Sequence, residues 1–540
     1  MCNERSINKT IGQVRVLDKN KFLLFPLITG IMLIVYSWFL SYPLSIDSSS
    51  DFVFNHISVL YWFGLALTLA SMYMIAVASK RNSVKWIMTV GIVMTMYSLS
   101  YFYYMLPGSD SQNTRGLTEF FIKTKNLDSS QPGHSYFQWP SFFIFANTMT
   151  SVTGLGEATI EFLGYAIIGF LLATTLYVYA SKASKNGGFL AVIAFFVVMF
   201  STFLNYQFVP FSLAFGLLLL LFMLESRQPS SGVIIAMLVL FVGITLTHTF
   251  VPIFFVLYLL IRSVLTRNRQ YGKLFLLTLI IYLTVEFALA STGFANSILS
   301  MMASPTDIIQ AATIRTPASV PIDAIAQMFL GIVIIAFGIA CLVGFILLLV
   351  KRKMRSLDKA IFLTGLIYSG VGVMLYTLGS RAIPIAFIPI SLGAVYLFES
   401  RFRLYVASFF LILLMLFAFI PLHLSFYNSR IFFQTKEAYT TANFIIEKYP
   451  WNLASIVLSD ASAASYISPQ IQGHTEIDTA FSARFLTSNI TTYDCIIYSV
   501  GLEKTLQSSN VSLEETSQRI LDGFNVIYNS GLSYIAEKSR

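Results

Sequence analysis

The chain has 540 residues, of which 56% are hydrophobic and only 11% are charged. Soluble domains carry about 25% charged residues, so this composition excludes an ordinary soluble protein and predicts a polytopic α-helical membrane protein. The formal net charge is +9, but the lysines and arginines occur in short clusters between apolar runs, a pattern typical of membrane topology and not of nucleic-acid binding.

Apolar runs of about 20 residues are long enough to cross a membrane as helices. The chain contains about thirteen candidate runs, several of them short. They lie at 22–41, 57–79, 86–106, 159–181, 188–205, 210–225, 232–247, 250–266, 274–291, 326–350, 359–378, 383–398 and 404–424. Residues 1–21 are polar and basic, and no small-residue cleavage site follows. We therefore expect an uncleaved first helix with a cytoplasmic N-terminal segment.

Lysine and arginine set the predicted orientation, because they are enriched in cytoplasmic connectors. The clusters lie at 80–85, 182–185, 227, 267–273, 351–355 and 401–403. The alternate connectors are poor in both residues and are placed on the outer face. They include two long loops at 107–158 and 292–325. The pattern predicts a multi-pass cell-membrane domain over 22–424, with everything after about residue 425 outside.

Residues 425–540 have the composition of a soluble protein and are predicted to form a small extracytoplasmic α/β domain. The apolar pattern predicts helices at 436–448 and 513–521 and strands at 454–458 and 495–500. Two further runs, 525–528 and 532–535, flank an Asn-Ser-Gly turn and predict a hairpin.

The stretch 108–155 is much longer than a membrane connector needs, and long loops in compact structures are usually functional or disordered. It contains an amphipathic run at 117–122 and an aromatic run at 136–142, which argue against disorder. The segment 139–152 is apolar but too short to span a membrane. We expect it to lie at the interface or to re-enter.

Within this stretch an acid follows a helix, an amphipathic run comes next, and an aromatic–Trp–Pro run enters another helix. The residues concerned are Asp110, Arg115, Phe120, Gly133, His134, Ser135, Tyr136, Trp139, Pro140, Ser141, Phe142, Thr153, Gly154 and Leu155. The arrangement resembles the first large outer loop of GT-C glycosyltransferases. More narrowly, it resembles archaeal and bacterial membrane glycosyltransferases of the dolichyl-phosphate-mannose mannosyltransferase type. A hydrophilic outer C-terminal domain is also common in those proteins.

The resemblance implies an inverting transfer on the outer face, as in cell-envelope glycosylation. The donor would be a polyprenyl- or dolichyl-phosphate sugar, with a hexose such as mannose. The acceptor would be a glycan, a lipid or a protein. The Trp-Trp-Asp-Tyr-Gly signature of oligosaccharyltransferases does not occur in the sequence, which disfavours en bloc transfer to protein asparagine.

Asp110 is the residue for which the resemblance implies a catalytic role, as the general base. A carboxylate at a partly dry interface can have its pKa raised toward the range needed to accept a proton from a hydroxyl. By local sequence alone it also fits a solvated turn at 107–110. Many relatives have paired acids here, whereas this chain has Ser111. A divalent cation, Mg²⁺ or Mn²⁺, is therefore left open as a cofactor.

Two further residues are candidates for binding the donor phosphate. Arg381 lies at the outer end of two predicted helices, where a buried charge is costly and usually functional. Its planar fork can hold two phosphate oxygens, although a snorkelling end residue fits the same position. His248, at a tight outer hairpin, is either a helix cap or a donor to the phosphate or sugar.

Four residues of the long loop are predicted to contact the acceptor or the sugar: Arg115, His134, Tyr136 and Trp139. The two aromatic rings offer flat faces for stacking. Interfacial Trp and Tyr are also common membrane anchors, so both readings stay open.

Two other classes of protein fit the composition. The first alternative is a polytopic transporter or lipid flippase, and the second is a non-enzymatic assembly or anchoring protein. Transporters usually show internal repeats and broken helices at mid-membrane. No repeat is visible in this sequence, and the candidate polar residues gather near one face, which favours an interfacial enzyme.

Overall fold

The structure is a computed structural model, and it describes most of the helical part of the chain and the strands of the C-terminal part. The described residues are 4–42, 57–102, 109–129, 134–182, 187–199, 208–226, 230–291, 295, 321–351, 353–374, 379–398, 436–448, 456–459, 466–467, 470, 476–479, 495–498, 524–529 and 534–538.

Helices dominate the described residues. They are α1 (Glu4–Ser41), α2 (Val59–Ala78), α3 (Asn82–Met96), α4 (Ser109–Thr124), α5 (Ser141–Thr153), α6 (Glu157–Ser181), α7 (Gly187–Met199), α8 (Pro210–Glu225), α9 (Ser231–Thr245), α10 (Val251–Thr266), α11 (Arg269–Ala288), α12 (Pro321–Val350), α13 (Ser356–Met374), α14 (Gly379–Phe398) and α15 (Lys436–Lys448). Every predicted apolar run up to 383–398 overlaps one of them, although 86–106 does so only over its first half, and the run at 404–424 lies outside the described residues.

Four described helical segments are long and apolar enough to cross a membrane, by length and composition. They are Phe22–Ser41, Val59–Ala78, Thr159–Ser181 and Arg269–Ala288. Outward-facing side chains such as Phe22 and Phe25, 80% and 77% exposed, fit a lipid-facing surface on α1. By contrast α7 is buried almost all round, as expected of a uniformly apolar helix at the centre of a bundle. The number of spans and their orientation stay predictions.

The third predicted run, 86–106, is not one continuous α-helix. Helix α3 ends at Met96, and a 3₁₀ helix follows over Tyr97–Phe102. The Ser98 hydroxyl donates to the Thr95 carbonyl at 2.6 Å. Serine side chains compete in this way with the helical hydrogen-bond ladder, and 3₁₀ turns are frequent at helix ends. The break lies shortly before the stretch 108–155.

The described residues of the stretch 108–155 form two α-helices. The amphipathic run lies within α4, and the short apolar segment forms α5. A 3₁₀ helix over Ser135–Gln138 precedes α5. Helix α5 ends at Gly154, whose φ of 69° lies in the left-handed region. Glycine adopts that conformation without a Cβ penalty, which makes it a common helix terminator.

The described C-terminal residues contain a five-stranded mixed sheet of order β2-β1-β3-β5-β4. The strands are β1 (Ile456–Ser459), β2 (Glu476–Thr479), β3 (Cys495–Tyr498), β4 (Phe524–Asn529) and β5 (Tyr534–Lys538). Strand β1 runs parallel to β2 and β3, and β5 runs antiparallel to β3 and β4. A small core joins α15 to the sheet, with Ala442, Ile445 and Ile497 buried.

Most C-terminal elements agree with the sequence predictions. Helix α15, strands β1 and β3 and the final strand pair lie where the apolar pattern placed them, within a few residues. Strand β2 was not predicted. Its alternating acids, Glu476 and Asp478, suit an edge strand but hide the apolar signal. The predicted helix at 513–521 lies outside the described residues.

Helices α12 and α14 approach each other closely at two glycines, Gly344 and Gly393. A Cβ added at Gly393 would lie 1.9 Å from the Cys341 carbonyl oxygen and 2.5 Å from the Phe345 nitrogen. Small residues allow this kind of backbone approach in membrane bundles. We expect Gly393→Ala to push the two helices apart.

The expected cost of Gly393→Ala is about 1–3 kcal/mol, the usual range for overpacking. The measurement is the midpoint of thermal unfolding of the detergent-solubilised protein. Gly243→Ala, in the interior of α9, is the matched control because its Cβ would meet nothing within 4 Å. It should leave the midpoint unchanged or slightly higher, since alanine favours helix. Equal midpoints for the two variants would contradict the close approach.

Candidate functional site

A cavity lies between α4, α5 and α6, closed on one side by Phe208 ahead of α8. Its volume, including the part open to solvent, is about 310 Å³. The lining residues are Ser111, Thr114, Arg115, Thr118, Ala146, Thr150, Ile160, Glu161 and Phe208. Four hydroxyls, a guanidinium and a carboxylate thus face three apolar side chains. Ligand pockets likewise combine apolar walls with a few placed polar groups.

Helical spacing brings the polar residues of this wall together. On α4, Ser111, Thr114, Arg115 and Thr118 recur at intervals of three and four and so share one face. The Thr118 hydroxyl donates to the Thr114 carbonyl at 2.8 Å, which satisfies that hydroxyl within the helix. The Ser111 hydroxyl is buried and has no hydrogen-bond partner among the described residues. It is therefore available to a ligand.

Arg115 is the charged centre of the cavity wall. Its Nε donates to Glu119 Oε1 at 2.9 Å, and its Nη1 donates to Glu161 Oε2 at 3.3 Å. All three side chains are nearly fully buried. Burial by itself lowers the pKa of Arg115, but Glu119 and then Glu161 raise it more, so the net pKa is above the usual value. Arg115 is therefore a fixed cation.

The same network reaches the C-terminal part of the chain. The guanidinium of Arg115 lies 4.7 Å from the centre of the Tyr439 ring on α15. The Tyr439 hydroxyl donates to Glu119 Oε1 at 3.4 Å, and the Tyr466 hydroxyl donates to Glu119 Oε2 at 2.5 Å. Burial, followed by the charge of Glu119, raises the pKa of Tyr466. The hydroxyl of Tyr466 therefore stays protonated and remains a donor.

Asp110 and Arg381 are placed by their backbones alone. Asp110 is the second residue of α4, directly before the cavity-lining Ser111. Arg381 is the third residue of α14. Both side chains lie outside the described residues. The expected meeting of the two side chains stays a prediction.

His134 and Tyr136 belong to the segment that leads into α5. His134 is buried, and its ring packs 4.5 Å from Phe120 and 5.2 Å from Phe137, between ring centres. Its Nδ1 lies 3.3 Å from the Asp128 carbonyl oxygen. Tyr136 is half-buried. His134 thus sits in the packing between α4 and this segment.

Trp139 is buried and is tied to the helical bundle. Its indole Nε1 donates to Glu286 Oε1 on α11 at 3.2 Å. Next to it, the Ser141 nitrogen donates to the Leu246 carbonyl at 3.0 Å, in the turn after α9. Glu286, to which the sequence assigned no role, is fully buried. These contacts fix the start of α5 against the ends of α9 and α11.

His248 lies in the same turn between α9 and α10. Its Nδ1 accepts a hydrogen bond from the Phe250 nitrogen at 3.1 Å, directly before α10. Its ring lies 5.4 Å from the Phe211 ring, three residues along the chain from the cavity-lining Phe208. Of the predicted contact residues whose side chains the structure describes, Arg115 alone lines the cavity. His134, Tyr136, Trp139 and His248 are not among the lining residues.

Sequence reasoning missed the partners of Arg115. Glu119 follows Arg115 by four residues, a spacing that places both side chains on one helix face. Glu161 falls inside the predicted run 159–181, and an acid inside an apolar run is a functional candidate. Those two signals were present in the sequence. Tyr439 and Tyr466 carried no comparable signal, because their contacts depend on the tertiary fold.

Within the described ranges, no group of three or more His, Cys, Asp or Glu side chains is placed to hold an ion. The side chain of Asp110 lies outside the described part of the chain, so a divalent cation beside it stays a prediction.

No protein-family model matches the chain, and no curated protein sequence matches it. Among solved structures, ArnT from Cupriavidus metallidurans in the apo state is 12% identical, with a TM-score of 0.47 over 84% of this chain and 98% of ArnT. ArnT from the same organism bound to undecaprenyl phosphate is 12% identical, with a TM-score of 0.44 over 83% and 97%. TM-scores below 0.5 do not by themselves establish a shared fold or a shared activity.

Proposed function

We propose that this chain is a membrane glycosyltransferase of the GT-C type, which transfers a sugar from a polyprenyl-phosphate carrier on the outer face of the cell membrane. The observation that carries the proposal is the cavity against the first two turns of α4, where Ser111 and Arg115 line the wall. Asp110, the acid singled out by the GT-C-like pattern, directly precedes Ser111. The backbone of a candidate base thus adjoins a hydroxyl-rich pocket.

In the proposed reaction, Asp110 accepts the proton of an acceptor hydroxyl. The acceptor oxygen attacks the anomeric carbon of the sugar as the bond from that carbon to the phosphate oxygen breaks. Polyprenyl phosphate leaves with the bonding electron pair, and the configuration at the anomeric carbon inverts. A positioned general base contributes about 10²–10⁴-fold to a rate of this kind.

The cavity suits the sugar or the acceptor better than it suits the carrier phosphate. Arg115 is the only cation among the lining residues that the structure describes, and Glu119 and Glu161 already share it. These three side chains together carry a formal charge of −1, which disfavours a phosphate. The hydroxyl of Ser111 and the carboxylate of Glu161 suit a polyhydroxylated ligand. We assign the carrier phosphate to Arg381, with His248 as a further donor.

The finer assignments are also proposals. The sugar is a hexose such as mannose, and the carrier is dolichyl or undecaprenyl phosphate. Arg115 lies at the sugar subsite, while His134, Tyr136 and Trp139 shape the segment over which the acceptor enters. The C-terminal part lies outside the membrane.

A transfer assay tests the proposed function. The purified chain, reconstituted in proteoliposomes, is given a panel of radiolabelled hexosyl dolichyl and undecaprenyl phosphates, together with acceptors extracted from the source membrane. We expect time-dependent movement of label into a water-soluble or lipid acceptor and stoichiometric release of the polyprenyl phosphate. Movement of intact labelled donor between leaflets, without bond cleavage, would support the flippase alternative and contradict the proposal.

Arg381→Ala is expected to weaken donor binding more than acceptor binding. A guanidinium that holds a phosphate contributes charge-assisted hydrogen bonds, each about twice as strong as a neutral one. We expect the KM for the lipid-linked donor to rise about tenfold or more, which corresponds to about 1.4 kcal/mol. The KM for the acceptor should change less than about threefold. Arg381→Lys should retain part of the affinity.

The matched control for Arg381→Ala is Arg269→Ala, at the start of α11, where the side chain is exposed. This variant also removes one positive charge, from a connector predicted to be cytoplasmic. An unchanged donor KM in Arg381→Ala, or an equal rise in Arg269→Ala, would remove Arg381 from the donor site.

A further inference from the structure

Tyr466 connects the C-terminal part of the chain to the cavity wall. It is fully buried, and 347 positions of sequence separate it from Glu119, to which its hydroxyl donates at 2.5 Å. The same hydroxyl lies 2.9 Å from Asn443 Oδ1 on α15. The contact therefore joins α4, α15 and the segment at 466–467.

Glu119 is held at both of its carboxylate oxygens. Oε1 accepts from Arg115 Nε at 2.9 Å, and Oε2 accepts from Tyr466 at 2.5 Å. A carboxylate bound at both oxygens has one orientation, so it also fixes the guanidinium plane of Arg115. The other arm of that guanidinium reaches Glu161, which lines the cavity together with Arg115. The chain of contacts runs from Tyr466 through Glu119 and Arg115 to the pocket.

We propose that Tyr466 and Glu119 are positioning residues, through which the C-terminal part of the chain sets the geometry of the cavity wall on α4. The expected effect on catalysis rests on the proposed function. The expected effect on the order of α4 does not depend on it. The C-terminal part is then required for the shape of the transfer site and is more than an appended acceptor-binding module.

A packing role for Tyr466 makes a different prediction. If only the ring matters, Tyr466→Phe keeps the ring in the small core and leaves α4 unaffected. If the hydroxyl positions Glu119, removing that one oxygen atom takes this donor away from Glu119 Oε2 and loosens α4. A misplacement of about 1 Å at a reaction site, even from a change far from the chemistry, can lower the rate about 100-fold.

The experiment compares Tyr466→Phe with Tyr61→Phe in the full-length, detergent-solubilised protein. Tyr61 is also fully buried, and its hydroxyl shares a hydrogen bond with Ser98 Oγ at 3.1 Å, so the control loses the same group elsewhere. Hydrogen exchange is followed over peptides that cover 109–124. We expect exchange there to be about tenfold faster in Tyr466→Phe and unchanged in Tyr61→Phe. Equal exchange in both variants would overturn the proposal.

Glu119→Gln and the double variant Tyr466→Phe/Glu119→Gln complete the test. If Tyr466 acts through Glu119, the double variant should be no more perturbed than the more affected single variant. Fully additive effects on exchange would contradict the coupling. If Tyr466→Phe does not accumulate as folded protein, hydrogen exchange over 109–124 in Glu119→Gln alone tests the proposal.

In the transfer assay, we expect Tyr466→Phe to lower kcat 10–100-fold with a donor KM within about threefold of wild type. Tyr61→Phe should leave both parameters unchanged. A kcat for Tyr466→Phe equal to that of wild type would contradict the catalytic part of the proposal. If the wild-type chain transfers no sugar, the proposed function fails, and the exchange measurement still decides whether Tyr466 holds α4.

Discussion

Replacing Asp110 with asparagine is expected to reduce sugar transfer by at least about 100-fold, the lower end of the contribution of a general base. Asparagine has nearly the same shape and can occupy the same position in the first turn of α4, but it cannot accept the acceptor proton at neutral pH. The donor KM should change little, because the carrier phosphate is assigned to Arg381. The measurement is the initial rate of transfer from the radiolabelled lipid-linked sugar.

Asp128→Asn is the matched control for Asp110→Asn. Asp128 also lies in the stretch 108–155, and its side chain is exposed. The control therefore loses one negative charge away from the cavity. We expect wild-type rates from this control. Transfer by Asp110→Asn at more than about one-third of the wild-type rate would exclude Asp110 as the base.

Replacing Arg115 with leucine is expected to cause the largest loss of stability of any single substitution considered for this chain. The change leaves Glu119 and Glu161 buried without their shared cation. Removing one partner of a buried ion pair typically costs about 3–5 kcal/mol, because an uncompensated charge remains in a dry environment. The midpoint of thermal unfolding in detergent should fall accordingly, and transfer should be lost with it.

Two further variants separate charge from packing at Arg115. Arg115→Lys retains the charge but has no planar fork for two carboxylates, so we expect an intermediate midpoint. Adding Glu119→Gln and Glu161→Gln to Arg115→Leu removes the stranded charges and should recover part of the lost stability. A midpoint for Arg115→Leu equal to that of wild type would show that the guanidinium does not hold the two acids together.

Sequence reasoning predicted the helices because their signal is local. An apolar run of sufficient length specifies a helix wherever it lies in a membrane protein, and α6 and α14 begin and end close to the predicted bounds. The 3₁₀ ending after α3 was not predicted, since it depends on how a few serines bond to nearby carbonyls. Strand β2 was not predicted either, because its two acids interrupt the apolar pattern.

The candidate site was predictable only in part, for a different physical reason. Asp110 and Arg115 lie within two turns of the one helix α4, but a separation of five positions puts them on different faces of it. Trp139 was expected as a stacking face, and the structure places its indole N–H on Glu286, 147 positions away. Contacts across such separations are set by the packing of the whole bundle, and a single sequence holds no local trace of them.

The contacts around Arg115 also include one that the sequence predicts and one that it does not. Arg115 and Glu119 are one helical turn apart, and their pairing follows from the helix alone. Tyr466 joins them from the far end of the chain, where only the tertiary structure brings it close. Sequence reasoning therefore identified the stretch that contains the candidate site, and the structure shows the contacts that hold α4 in place.

A structure with a bound polyprenyl-phosphate hexose tests the central claim most directly. We predict density for the carrier phosphate beside Arg381, with the sugar extending into the cavity lined by Ser111, Arg115 and Glu161. The anomeric carbon should lie within reach of an acceptor hydroxyl held by Asp110. A lipid phosphate bound on a surface that shares no cavity with Asp110 would contradict the account.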